Sequence, residues 1–215
     1  MNKSLVFAEL QMLLEKTLQA APHYPWEDKN FYCAWLAQTT YYVRHSTRLL
    51  ALGGALAPLQ QQELHNRFLK HAAEEKGHEN LTILDLKYFD EKLELIPEFP
   101  MTQSFYQTQY YWIEHKNPLA FFGYILCLEC MAVQVGPVAC ARIEKAFGPK
   151  ANNFLRVHAE EDIDHVKKAV AQVENFPPEI QSLVIMNMKQ SFQNYSAMME
   201  SCLEFSRSMK KASAA

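Results

Sequence analysis

The sequence predicts an all-α protein, one domain built as a bundle of roughly seven or eight helices. Three observations carry that expectation. Only six glycines occur in 215 residues, and no stretch shows the apolar–polar alternation of strands. Apolar residues recur instead at three- and four-residue intervals, the repeat of a helix with one buried face. Finally, a histidine–carboxylate octapeptide occurs twice, as HAAEEKGH at 71–78 and HAEEDIDH at 158–165. Read as helices, each segment aims two imidazoles and an acid the same way: His71, Glu75, His78 and His158, Asp162, His165. A helix turns about 100° per residue, so positions i, i+4 and i+7 fall within roughly 60° of arc.

The elements follow in order along the chain. A first helix is expected over about 4–20, followed by the loop AAPHYPWEDKN, which its prolines keep non-helical. A long second helix is expected over about 28–52, stopping at Gly53-Gly54. A third starts near Pro58 and runs to about Phe89, carrying the first octapeptide. ELIPEFPMTQS reads as a turn. A fourth helix covers roughly 103–116 and ends before Asn117-Pro118, where Pro118 suits the first position of the next. That fifth helix, about 118–147, is the most apolar, and Gly136-Pro137 predicts a kink in it. The sixth, about 150–175, carries the second octapeptide. Pro177-Pro178 opens a last helix to about 209, and residues 210–215 read as a frayed tail. No domain boundary interrupts 1–215.

Composition narrows the function classes. Hydrophobic residues make up 49% and charged residues 21%, the balance of an ordinary globular domain. A formal net charge of −3 offers no electrostatic footprint for nucleic acid or an anionic membrane. No apolar run reaches membrane-span length, and Glu9 and Glu15 interrupt the N-terminal apolar stretch where a signal peptide would be uncharged. Five cysteines form no secreted framework, so a reducing cytoplasm is the expected compartment.

The doubled octapeptide points to a metal centre inside the bundle. Together the two segments offer two acids and four histidines on facing arcs. A further acid stands in AFFGYILCLECMAVQVG, where Glu129 is the only charged residue between Lys116 and Arg142. A carboxylate in such a setting must be neutralised, paired or bound to a cation, because burying a bare charge is costly. So many donors exceed the four of a structural zinc site, and their oxygen content favours iron or manganese. His23, His45, His65 and His115, by contrast, read as structural or solvated histidines.

At these residues the chain resembles the heme-oxygenase-like di-iron oxidases and oxygenases, whose fold is shared by heme oxygenase, the TENA/THI-4 thiaminases and pyrroloquinoline-quinone synthase. The resemblance covers the helix pattern of nearly the whole chain and is most specific in three segments. It implies metal ligands Glu75 and His78 in EKGH, Glu129 in LCLEC, and His158, Asp162 and His165 in HAEEDIDH. Some members place the first carboxylate seven residues before the histidine, a position held here by His71. Others use the E-x2-H spacing of Glu75 and His78. His71 is thus a seventh ligand or a group that orients a carboxylate, and the second role is preferred.

The same resemblance implies two iron ions per chain, with manganese as an alternative, and O2 activation directed at a small organic substrate. Tyr41 and Tyr42 are candidate catalytic residues beside the metals, with Trp35, His45, Phe121, Phe122 and Tyr124 as further candidates for the pocket wall. A thiaminase would use a cysteine nucleophile, and Cys127 and Cys130 lie in the matching region, though it would leave the metal-type residues without a role. Heme oxygenase holds heme through an N-terminal histidine, whereas His23 lies in the proline-broken loop. A cofactor-free enzyme like pyrroloquinoline-quinone synthase and a non-catalytic iron-binding protein complete the alternatives. A homodimer is expected, with the methionine-rich last helix (Met186, Met188, Met198, Met199) as one face that could supply the contact.

Overall fold

The computed structural model describes residues 5–213, apart from the side chains of 160–165 and 213. Among the described residues there is no strand. The chain forms α1 (Leu5–Ala20), α2 (Lys29–Val43), α3 (Ser46–Leu56), α4 (Gln62–Glu74), α5 (Glu79–Tyr88), α6 (Pro100–His115), α7 (Phe122–Gln134), α8 (Gly136–Phe147), α9 (Asn153–Glu174) and α10 (Pro178–Ser213), with short 3-10 turns between them. Three pairs are single rods broken once, α2–α3, α4–α5 and α7–α8. The bundle of seven rods agrees with the expected architecture.

Each break has an identifiable cause. The expected helix over 28–52 divides at Arg44-His45, where no glycine or proline stands. His45 stacks on Tyr106 with ring centroids 3.9 Å apart, and its Nδ1 meets the Tyr110 hydroxyl at 2.9 Å, which ties the corner to α6. Gly53-Gly54 does not stop the second half: both lie inside α3 against Phe68 of α4, and the helix runs on to Leu56. The third expected helix breaks inside the octapeptide, at Glu75–His78, where Gly77 takes φ +93°. That left-handed conformation is one a side-chain-bearing residue rarely adopts. The kink expected at Gly136-Pro137 is present, and the chain bends there by 49°. Helix α6 begins at Pro100, its first residue, earlier than expected, and α10 continues past 209 to Ser213.

Helix α7 is the axis of the bundle, with α9 along one side and α10 along the other. The reason is its sequence: nine of its residues are buried, from Phe122 to Met131, so it has no polar face to offer solvent. Gly123 permits the close crossing with α10, since a Cβ there would stand 2.4 Å from the Val184 carbonyl. Helix α2 packs on α5 and α10, and α3 on α4. Buried Gln38 fastens the 89–99 connection by donating to the Pro97 carbonyl and accepting from the Phe99 amide and the Thr102 hydroxyl. Met188, Met198 and Met199 belong to the core, leaving Met186 and Met209 exposed on α10, so those three methionines form no outward face. No single helix among the described residues is long and apolar enough to cross a membrane. The bent pair 118–147 passes only when taken together, and α7 is spent on the core.

Candidate metal centre

The broken rod α4–α5, the middle of α7 and the first half of α9 bring four of the predicted ligands, Glu75, His78, Glu129 and His158, to one place. Glu75 caps α4 through its amide, which donates to the His71 carbonyl, and His78 precedes the first turn of α5. The first octapeptide is therefore not one continuous helix, and the arc argument fails for it. Its side chains converge all the same, because the turn at Gly77 folds His78 back toward Glu75: His78 Nδ1 lies 3.4 Å from Glu75 Oε2. Across the gap, His158 Nε2 of α9 stands 3.2 Å from the same His78 nitrogen.

One carboxylate oxygen and two imidazole nitrogens from Glu75, His78 and His158 lie within 4.8 Å of one another. The donor set fits a transition metal. Two nitrogens each about 2.1 Å from one ion, at bond angles of roughly 90–110°, stand about 3.0–3.4 Å apart, which brackets the observed separation. His158 is already prepared for the role. Its Nδ1 lies 2.9 Å from the Phe154 carbonyl. A carbonyl can only accept, so Nδ1 carries the proton and Nε2 presents its lone pair to the centre.

Glu129 enters from α7, and His71 joins the two acids: its Nε2 is 3.6 Å from Glu75 Oε1 and 3.4 Å from Glu129 Oε1. Burial works to raise the Glu75 carboxyl. The His71 and His78 imidazoles beside it and the nearby His158 outweigh it and hold that carboxyl well below the usual carboxylate range. Asp162 and His165 stand four and seven residues beyond His158 in α9, but their side chains lie outside the described residues.

The centre borders a cavity of about 550 Å³, a size that suits a small organic ligand. His71, Glu75, Glu129 and His158 stand together in its wall, which is otherwise mostly apolar, with Leu13, Leu50, Phe121, Ile125, Leu128 and Phe192 among its residues. Tyr42, Trp35, Phe121 and Tyr124 belong to that wall. Burial pushes the Tyr42 and Tyr124 phenols well up. Tyr41 does not belong to it: its hydroxyl donates to the Leu93 and Ile96 carbonyls and holds the 89–99 connection. Nor do His45, stacked on Tyr106, or Phe122, packed on Phe68 and Phe176.

Arg67 is a neighbour that residue patterns did not single out. It lines a smaller polar pocket with His71 and Glu129, lies over the Phe122 ring at 5.3 Å and donates to the Lys168 carbonyl. The signal was present in its position four residues before His71, one helical turn away.

Comparison with solved structures returns one architecture. A domain of unknown function with a heme oxygenase-like fold from Shewanella denitrificans superposes with a TM-score of 0.85 at 17% identity, covering 95% of this chain and 94% of that one. A TenA homolog from Pseudomonas syringae gives 0.76 at 10% identity, over 93% and 91% of the two chains. A TenA homologue from Pyrococcus furiosus gives 0.71 at 14%, over 92% and 100%. These likenesses show the fold. No curated protein matches the chain. Residues 33–190, which include the broken rod α4–α5, α7 and α9, match the model of one family. The chain belongs to the iron-containing redox enzyme family and has the heme-oxygenase-like fold.

Proposed function

We propose that the chain is a non-heme di-iron oxidase or oxygenase that activates O2 against a largely apolar small organic molecule. The observation that carries this reading is the convergence of Glu75, His78 and His158 within 4.8 Å at the wall of an apolar cavity. Glu129 and, on α9, Asp162 and His165 complete the proposed ligand set. Bound iron would supply reducing electrons and open coordination positions for O2. The chain's own residues do the rest. His158 offers a fixed lone pair, and His71 holds the Glu75 and Glu129 carboxylates toward each other. The apolar wall keeps water away and orients the substrate by shape. Tyr42 remains a protonated phenol in that wall and can donate a hydrogen bond there.

The thiaminase alternative needs a reactive thiol. Cys127 and Cys130 are fully buried, neither lines the cavity, and burial pushes the Cys127 thiol far up, all of which weigh against a thiolate nucleophile.

Metal analysis of protein grown in iron-rich medium tests the reading. About two irons per chain are expected, lost in His158→Ala and in Glu129→Ala. A stable, fully folded wild type without bound metal under those conditions would overturn it. Acceleration of O2 decay by an added organic substrate then separates an oxygenase from an iron-binding protein. Asp162→Ala with two irons and full O2 reactivity would remove Asp162 from the ligand set.

A further inference from the structure

We propose that Asp85 is the positioning residue of the centre: from α5 it caps the N-terminus of α9 and thereby aims His158. The inference rests on reading Glu75, His78 and His158 as ligands. Asp85 lies in α5, seven residues after His78, which stands just before that helix, and is fully buried. Its Oδ1 accepts from the Asn153 amide at 3.0 Å and from Asn153 Nδ2 at 2.7 Å, and its Oδ2 accepts from the Phe154 amide at 2.9 Å. These are the first two residues of α9. A helix start leaves four amides without intrahelical partners, and a residue just before the helix normally serves some of them. Asn152, which holds that place, makes no such bond through its side chain. The cap is supplied instead by a carboxylate from another helix.

The consequence reaches the centre in one step. Phe154, whose amide Asp85 holds, has the carbonyl that accepts from His158 Nδ1 at 2.9 Å. Asp85 therefore fixes the first turn of α9, that turn fixes the acceptor, and the acceptor fixes which nitrogen of His158 faces His78. Helix α5 is itself anchored to α2 one turn earlier, where Thr82 and Thr40 share a hydroxyl hydrogen bond of 2.7 Å. One short helix thus holds the start of α9 at one end and follows directly from His78 at the other. Metal geometry tolerates displacements of only a few tenths of an ångström, so such a bolt between two ligand-bearing elements matters more than an ordinary cap.

Two readouts on the full-length protein test this: Co(II) affinity followed by its visible absorption, and the tautomer of His158 read from imidazole nitrogen shifts in metal-free protein. Asp85→Asn is expected to weaken Co(II) binding about 10- to 100-fold and to mix the His158 tautomers. Asp28→Asn, which removes a half-buried cap carboxylate away from the centre, should lower the melting temperature and leave both readouts unchanged. If Asp85→Asn does not fold, Asn153→Ala removes one of the three bonds and should weaken Co(II) several-fold. Unchanged Co(II) affinity and an unchanged tautomer in a folded Asp85→Asn, or in Asn153→Ala where that variant must decide, would overturn the inference. If wild type takes up no Co(II), the ligand reading fails, and the tautomer alone decides whether Asp85 positions His158.

Discussion

His71 is where residue chemistry is most exposed to test. Its Nε2 lies between the Glu75 and Glu129 carboxylates, which suits a group that orients acids. His71→Ala should then weaken Co(II) binding about tenfold, the effect of losing an outer hydrogen-bonding partner. His158→Ala and Glu75→Ala, which remove donors themselves, should abolish measurable binding in the same calorimetric titration. Equal loss in all three would make His71 a ligand. Residue identity alone pointed to every one of these positions, because two imidazoles and an acid recur in both octapeptides and Glu129 stands alone among apolar neighbours. What the residues could not disclose was the break at Glu75–His78. A lone Gly77 in a helical pattern is compatible with a continuous helix, and only its positive φ shows that the chain turns there.

Two element-scale contacts decide how the rods meet. At Gly123 the α7–α10 crossing leaves no room for a methyl group, and the nearest atoms are backbone, which cannot swing aside. Gly123→Ala should cost about 3 kcal/mol or more, read as a lower urea midpoint. Asp28 caps α2 by accepting from the Asn30 and Phe31 amides, and it also meets Ser206 and Lys210 of α10. Burial would raise its carboxyl, but the bonds from Lys210, Ser206 and Asn30 prevail and lower it. A carboxyl lowered on folding stabilises the fold above its unfolded value of about 3.9 and loses that contribution as pH falls through the folded value. Asp28→Asn should therefore cost about 1 kcal/mol at pH 7. Denaturation midpoints of wild type and variant should approach each other below about pH 4. The contact with Lys210 and Ser206 also explains why α10 stays helical beyond 209: the expected tail is pinned to the start of α2.

At the scale of the molecule, the centre draws its side chains from three rods, so a bound ion would cross-link the bundle. A divalent metal should raise the melting temperature with the logarithm of its concentration once that exceeds Kd. An excess of about 100 times Kd adds roughly 2.7 kcal/mol, or some 5–10 °C for a chain of this length. Calorimetry with and without Co(II) or a chelator reads this directly, and a melting temperature indifferent to both would argue against a shared centre. The cavity belongs to this scale too. Tyr41 and Tyr42 are adjacent in sequence, yet only Tyr42 reaches the cavity wall, while Tyr41 turns to the 89–99 connection.

The sequence by itself determined the helical class, the order of the rods and the kink at Gly136-Pro137, and it named the candidate metal ligands. Periodicity, proline placement and the cost of burying a charge act over a few residues and are therefore written locally. Tertiary structure alone decided the break that brings His78 back to Glu75, which tyrosine faces the cavity, and the capping of α9 by Asp85 from another helix. Those outcomes depend on contacts between segments far apart in the chain, such as His45 on Tyr106 or Asp85 on Phe154, and no local pattern of residues encodes them.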